Sequence, residues 1–199
     1  MMLIKRLVIY CLGIVIGCFG IAFVIVSNIG TGAWDAIFVG ANEKMNLSIG
    51  TWSIFGQIVV VISTAALLKK RIAFETIVPI LLRGWSLDLG LFLLQHGQIQ
   101  HDMVHQLIFF LIGLVMMGCG TGIYISAKFP NMPIDALMVG LREKYAWSLQ
   151  KSRIILELSA VGVAFLLSGP IGVGTMIMAI SMGYLVQKSN ELTSKILNI

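Results

Sequence analysis

Residues 35–44, DAIFVGANEK, recur one hundred positions later as DALMVGLREK at 135–144, with six of the ten letters identical. Self-similarity at a fixed offset constrains architecture before any local reading does, because one structural unit has to be built twice. The same offset pairs Gly13 with Gly113, Gly20 with Gly120, Ser48 with Ser148 and Leu67 with Leu167. One residue out of step, Thr76 pairs with Thr175 and Gly84 with Gly183. The 199 residues are read as a single transmembrane domain holding two repeats, 1–99 and 100–199.

What solvent the unit is built for follows from composition. The chain is 58% hydrophobic and 12% charged, against about 25% charged for ordinary soluble domains, so its partner is the lipid bilayer. The net charge of +5 does not indicate a nucleic-acid surface, because no basic cluster is interleaved with aromatics and the cations flank apolar runs. Cys11, Cys18 and Cys119 lie inside those runs as small hydrophobes and form no disulfide framework. The first apolar stretch, 7–26, is followed by no small-x-small cleavage site and is read as an uncleaved span.

A helix needs about 20 apolar residues to cross a hydrocarbon core of about 30 Å. Stretches 7–26, 49–68 and 104–127 meet this without a charge, while 72–95 carries Glu75, Arg83 and Asp88. Two shorter stretches follow, 154–168 with Glu157 and the glycine-rich 172–187. The count is six spans. With the amino terminus inside, twelve of the fourteen basic residues fall on the cytoplasmic face, and only Lys44 lies outside with Arg83 in a span. The positive-inside rule thus puts both termini in the cytoplasm. Three spans per repeat is an odd number, so the second copy enters from the opposite side. The expected fold is all-α, six transmembrane helices as two inverted three-helix repeats, an architecture recurrent in secondary transporters.

The repeated segments themselves are too short to span, and each is expected to be an amphipathic interfacial or re-entrant helix. Trp34, Ile37, Phe38, Ala41 and Met45 fall on one stripe, matched by Ile134, Leu137, Met138, Leu141 and Tyr145. Ala36-x-x-x-Gly40 and Ala136-x-x-x-Gly140 offer small faces for close contact with a spanning helix. With Gly32 and Met132 as N-caps, Asp35 and Asp135 sit at the third helical position, where a carboxylate suits the helix dipole. Capping is the simpler reading of these aspartates. The sharper one is a substrate or proton site at a half-helix tip.

Within the spans, Arg83 lies about 16 Å past the start of its stretch at 1.5 Å per residue. An arginine at such depth costs about 2.5–3.5 kcal/mol on insertion scales and calls for a partner. Asp88, turned about 140° away on the same helix, is poorly placed, which makes Glu157 the first-choice partner. Arg83 aligns with Met182, Asp88 with Gln187 and Glu157 with Gln57, so the scaffold is duplicated while its charges are not. Arg83, Asp88, Glu157, Asp35 and Asp135 form the candidate set for binding or coupling, with the arginine favouring a solute that has an anionic group.

Other signals are weaker. His96, His101 and His105 share one stretch, but the motif lacks the glutamate of zinc peptidases, and neither metal nor cofactor is expected. Gly13-x-x-x-Gly17 and Gly118-x-x-x-Gly122 fit close helix contact within one chain or between copies, which leaves a homo-oligomer open. SGPIGVGT at 168–175 lacks the Lys-Ser/Thr ending of a phosphate loop and is read as a tight turn into the last span. No nucleophile–base pair is visible, so no enzymatic activity is expected.

Gly30-Thr31-Gly32-Ala33-Trp34-Asp35, Arg83-Gly84-Trp85 with Asp88, and Gly172-Val173-Gly174-Thr175 with Gly183 carry a resemblance that runs through nearly the whole chain. By these motifs it resembles the YczE/YitT/YyaS-type bacterial inner-membrane proteins. Pro133-Ile134-Asp135 in the second copy departs from the Ala-Trp-Asp of the first. The resemblance implies a small multi-pass membrane protein and brings no assigned activity, cofactor or site. Two functions are expected from the residues: a carrier of a small solute, or a membrane-embedded regulatory or scaffolding protein acting through 135–144 and the tail.

Overall fold

The computed structural model describes residues 2–95, 102–130 and 132–197. Among them the chain is all helical: α1 (Met2–Ser27), α2 (Ala33–Lys44), α3 (Ile49–Leu68), α4 (Ile77–Gln95), α5 (Met103–Ser126), α6 (Pro133–Tyr145), α7 (Leu149–Leu166) and α8 (Val173–Leu197). A single 3-10 turn, Phe74–Thr76, leads into α4. Among the described residues four helical segments are long and apolar enough to cross a membrane: Leu3–Ser27, Ile49–Leu68, Phe74–Gln95 and Met103–Ser126. Helix α7 falls short of that standard because Lys151, Arg153 and Glu157 stand in its 18 residues. Helix α8 runs 25 residues, about ten beyond the expected end, because the polar stretch after Gln187 stays helical.

At the centre, α1 lies antiparallel against α5, held at backbone distance by glycines. A Cβ on Gly120 would stand 2.6 Å from the carbonyl oxygen of Gly13, and one on Gly113 would stand 2.6 Å from that of Gly20. Side chains at these positions would drive the helices apart, which is why glycine is repeated there. Gly13-x-x-x-Gly17 therefore acts within the chain, and Gly118 and Gly122 likewise face Leu185 and Ser189 of α8. Around this pair, Tyr10, Ile14, Cys18 and Ile21 bury against Leu87, Leu91 and Tyr124. The apolar side chains left outside, among them Trp85, Leu89 and Phe92 of α4 and Leu107, Leu111 and Val115 of α5, suit a lipid surround.

The remaining contacts come in matched sets. Helix α1 packs on α4 as α5 packs on α8; α2 packs on α3 and α7, and α6 packs on α7 and α3. Lys44 Nζ donates to the Leu166 carbonyl at 3.0 Å, and Lys144 Nζ donates to that of Leu67 at 2.7 Å. Each lysine thus satisfies a carbonyl in the last turn of the other repeat's helix. Ser48 and Ser148 cap α3 and α7 by accepting from Thr51 N–H and Lys151 N–H, both at 3.1 Å. Asn28 and Lys128, one hundred apart, both turn the chain with φ of 55°.

The two short helices enter the molecule amino end first. In α2, Ala33, Asp35, Ala36 and Phe38 are buried, while Glu43 and Lys44 are exposed. In α6, Pro133, Leu137, Gly140 and Leu141 are buried and Arg142 to Tyr145 exposed. Burial therefore does not follow the expected stripe: Asp35 is inside, and Met45 is 57% exposed. The small faces do as expected, Gly40 resting against Leu167 and Gly169 and Gly140 against Leu68. The 168–175 segment is a tight turn, closed by Gly169 N–H to the Ala164 carbonyl at 2.8 Å, and it seats the loop before α2 through Thr31 N–H to the Pro170 carbonyl at 3.1 Å.

Candidate functional site

Three elements build the site. Helix α4 presents Arg83, the buried first turn of α2 presents Asp35, and α3 presents Ser53 and Gln57. Arg83 Nη2 donates to Asp35 Oδ1 at 2.6 Å, and its Nε donates to Ser53 Oγ at 3.2 Å. The pair is shielded, with side-chain exposures of 16% and 5%. Charge-assisted bonds of this length are strong, and in a water-poor setting each ion depends on the other to offset its desolvation. Gln57, 1% exposed, donates through Nε2 to the same Ser53 Oγ at 3.5 Å, while its Oε1 has no partner among the described residues. The indole N–H of Trp34, beside Asp35 in sequence, also has no partner among the described residues.

Asp135 occupies the corresponding place in the second repeat with a different partner. Tyr124 of α5 donates its hydroxyl to Asp135 Oδ2 at 2.8 Å. Tyr124 stacks edge-on against Tyr10, ring centroids 6.0 Å apart, and Tyr10 in turn donates to the Pro130 carbonyl at 2.8 Å. Arg153 and Glu157 of α7 stand where α3 has Ser53 and Gln57. Glu157 is half-buried, within electrostatic reach of Arg153, Asp35 and Asp135.

Two expectations are corrected. Arg83 is paired with Asp35, not with Glu157, which makes no hydrogen bond or ion pair among the described residues. The reason is depth: α2 inserts its first turn far enough to bring Asp35 to α4. Nor do the repeated aspartates act as hydrogen-bonding caps. N-cap positions do fall at Gly32 and Met132, but both carboxylates turn to side chains of spanning helices. Asp88 has a structural post, accepting from Ser48 Oγ at 2.6 Å and Gly50 N–H at 2.7 Å at the start of α3. Sequence reasoning passed over Ser53, Gln57 as a site residue, and Tyr124; the available signal was their polarity inside apolar stretches.

Elsewhere, His105 pairs with Asp102, and His96 and His101 lie outside the described residues. A groove of about 330 Å³ between α3, the turn before α4, and α6 is lined by Lys70, Arg71, Glu75 and Glu143 among apolar residues. Its charges are spent on exposed pairs, Lys70–Glu143 at 3.0 Å and Arg71–Glu75 at 3.1 Å, each worth little. Arg83 does not line it.

Comparison with known proteins agrees with the motif resemblance. The chain is 32% identical over 177 residues to "Uncharacterized protein YyaS" of Bacillus subtilis (strain 168), covering 89% of this chain and 88% of that one. It is 29% identical over 197 residues to "Uncharacterized membrane protein YczE" of the same organism, covering 98% and 90%. A third relative, "Uncharacterized protein" of Haemophilus influenzae, is 30% identical over 168 residues, covering 84% and 75%. No solved structure matches. The model of the "Family of unknown function (DUF6198)" matches residues 4–191, and with its apolar helices and its YyaS and YczE relatives, this chain is a membrane protein that belongs to that family.

Proposed function

We propose that this protein is a carrier for a small anionic solute in the bacterial inner membrane. It would cross six times as two inverted three-helix repeats, with both termini cytoplasmic and α2 and α6 as re-entrant helices. The repeats are supported by contacts that exchange under the one-hundred-residue shift: Gly13 with Gly120 against Gly113 with Gly20, and Lys44 with Leu166 against Lys144 with Leu67. Pairs of oppositely oriented units suit alternating access, because each can adopt the conformation of the other.

One observation carries the solute reading: the shielded Arg83–Asp35 pair held between a spanning helix and the tip of a short one. An ionisable residue among apolar spans is functional by default. A pair of this kind can open, with an incoming anion replacing Asp35 on the guanidinium. The test is uptake of labelled small anions by proteoliposomes. Saturable uptake that Arg83→Gln abolishes and Arg83→Lys lowers is expected; uptake unaffected by Arg83→Gln would overturn the assignment. A scaffolding role is favoured by a separate feature, the extension of α8 past Lys188, which exposes Leu192 and Ile196. Removing the chain after Lys188 is expected to spare uptake in a carrier and to abolish partner capture in a scaffold.

A further inference from the structure

The polar groups around Arg83 are incompletely satisfied, and the deficit has a shape. Gln57 is 1% exposed on α3, and its Oε1 has no partner among the described residues. Turning the amide end for end exchanges oxygen for nitrogen but still leaves one end without a bond. An unpaired amide group in such a place costs free energy comparable to a lost hydrogen bond. Arg83 shares the deficit. Its Nε and Nη2 are bonded, its Nη1 has no hydrogen-bond partner among the described residues, and 16% of the side chain stays accessible. Ser53 Oγ accepts from both residues and fixes the guanidinium and the amide relative to one another.

We infer that Arg83 and Gln57 are the two fixed points of a binding site for a small organic monocarboxylate bearing a hydrogen-bonding substituent, with Asp35 holding the place of the ligand's carboxylate in the closed protein. The ligand's carboxylate takes the guanidinium, and its hydroxyl or amino substituent takes the free end of the Gln57 amide. This rests on the carrier reading and gives it a substrate class.

Charge limits the ligand to a single negative charge. Among the described residues, the carboxylates within electrostatic reach of Arg83 are Asp35 and Asp135. Glu157 adds a third carboxylate near Asp35 and Asp135. A dianion such as phosphate would meet two guanidiniums, Arg83 and Arg153, among three carboxylates, a set that is already net negative. A monocarboxylate copies the side chain already there.

The test is equilibrium binding to the purified full-length protein in detergent, with propanoate, 2-hydroxypropanoate and inorganic phosphate as probes. Asp35→Asn imitates a neutral side chain displaced from Arg83 and is expected to tighten carboxylate binding about tenfold, by removing the internal competitor. In that background 2-hydroxypropanoate should bind about tenfold more tightly than propanoate, the equivalent of one hydrogen bond. Adding Gln57→Leu, similar in volume, should abolish the preference and bring the two to equal affinity. A preference that survives Gln57→Leu, tighter binding of phosphate, or no carboxylate binding by the Asp35→Asn protein would each overturn the site. Binding with the expected preference but without uptake in proteoliposomes would keep the site and remove the carrier.

Discussion

The α3–α4 side of the molecule is closed, and its counterpart, α7 with α8, is not. Helix α3 packs along α4, where Gly50 sits against the carbonyl of Gly84 and against Asp88, and a Cβ on Gly84 would stand 2.5 Å from Ile54. A Cβ on Gly183, the counterpart of Gly84, would meet nothing within 4 Å among the described residues beyond its own helix, and α7 takes its neighbours from α2 and α6 instead. The polar groups divide the same way. On the closed side Arg83 is hydrogen-bonded to Asp35 and Ser53, and Asp88 separately to Ser48. On the open side Asp135 receives one hydroxyl, and Glu157 and Arg153 have no hydrogen-bond partner among the described residues.

The two sides share a backbone plan and differ in a few side chains: Ser53 against Arg153, Gln57 against Glu157, Arg83 against Met182 and Asp88 against Gln187. The charges stand at different places in the two copies, Arg83 and Asp88 in the first and Arg153 and Glu157 in the second, so the two sides cannot close by the same bonds. In this structure the side that packs is the one whose Arg83 is paired with Asp35.

The largest effect that would break this comparison comes from the ion pair. Arg83→Gln leaves Asp35 buried without its cation and is expected to cost about 3–5 kcal/mol, read as thermal unfolding in detergent. Asp35→Asn combined with Arg83→Gln should recover most of that loss, whereas Glu157→Gln alone should change little. Equal losses at Glu157 and Arg83 would mean that the two sides are equally engaged.

Next come the glycines. Gly84→Leu forces its side chain into Ile54 and the Gly50 carbonyl, costing about 1–3 kcal/mol. Gly183→Leu meets open space and should stay within about 0.5 kcal/mol. A smaller difference lies at the caps. Ser148→Ala removes one bond to the α7 amino end, about 1 kcal/mol. Ser48→Ala also removes a donor from Asp88, so it should cost about 1 kcal/mol more than Ser148→Ala. Identical losses would show that Asp88 contributes nothing to closing α3 onto α4.

Much of this arrangement is legible in the sequence. Apolar run length gives α3 to the residue and α1 and α5 to within a few, since length and charge set those ends. The repeat gives the matched lysine and serine caps their positions. What could not be read is how far a twelve-residue helix inserts, because periodicity reports which residues share a face and not how deep the helix sits. The sequence therefore offers Asp35 as a cap or a half-helix-tip site and Glu157 as the partner of Arg83, although Asp35/Asp135 and Glu43/Glu143 are the acidic residues that recur at the same place in both copies of the repeat. The extension of α8 was missed for a related reason. Polar residues such as Gln187 and Glu191, bonded to each other at 3.0 Å, end a span without ending a helix.

The central claim, that the two halves lie upside down relative to one another, is tested most directly by sided labelling. Single cysteines at Asn42 and Arg142, in a chain whose Cys11, Cys18 and Cys119 are replaced by alanine, are treated in intact cells with a membrane-impermeant thiol reagent. Labelling at 42 from outside, with 142 reacting only after the cells are opened, is the expected result. Labelling of both positions from the same side would contradict it.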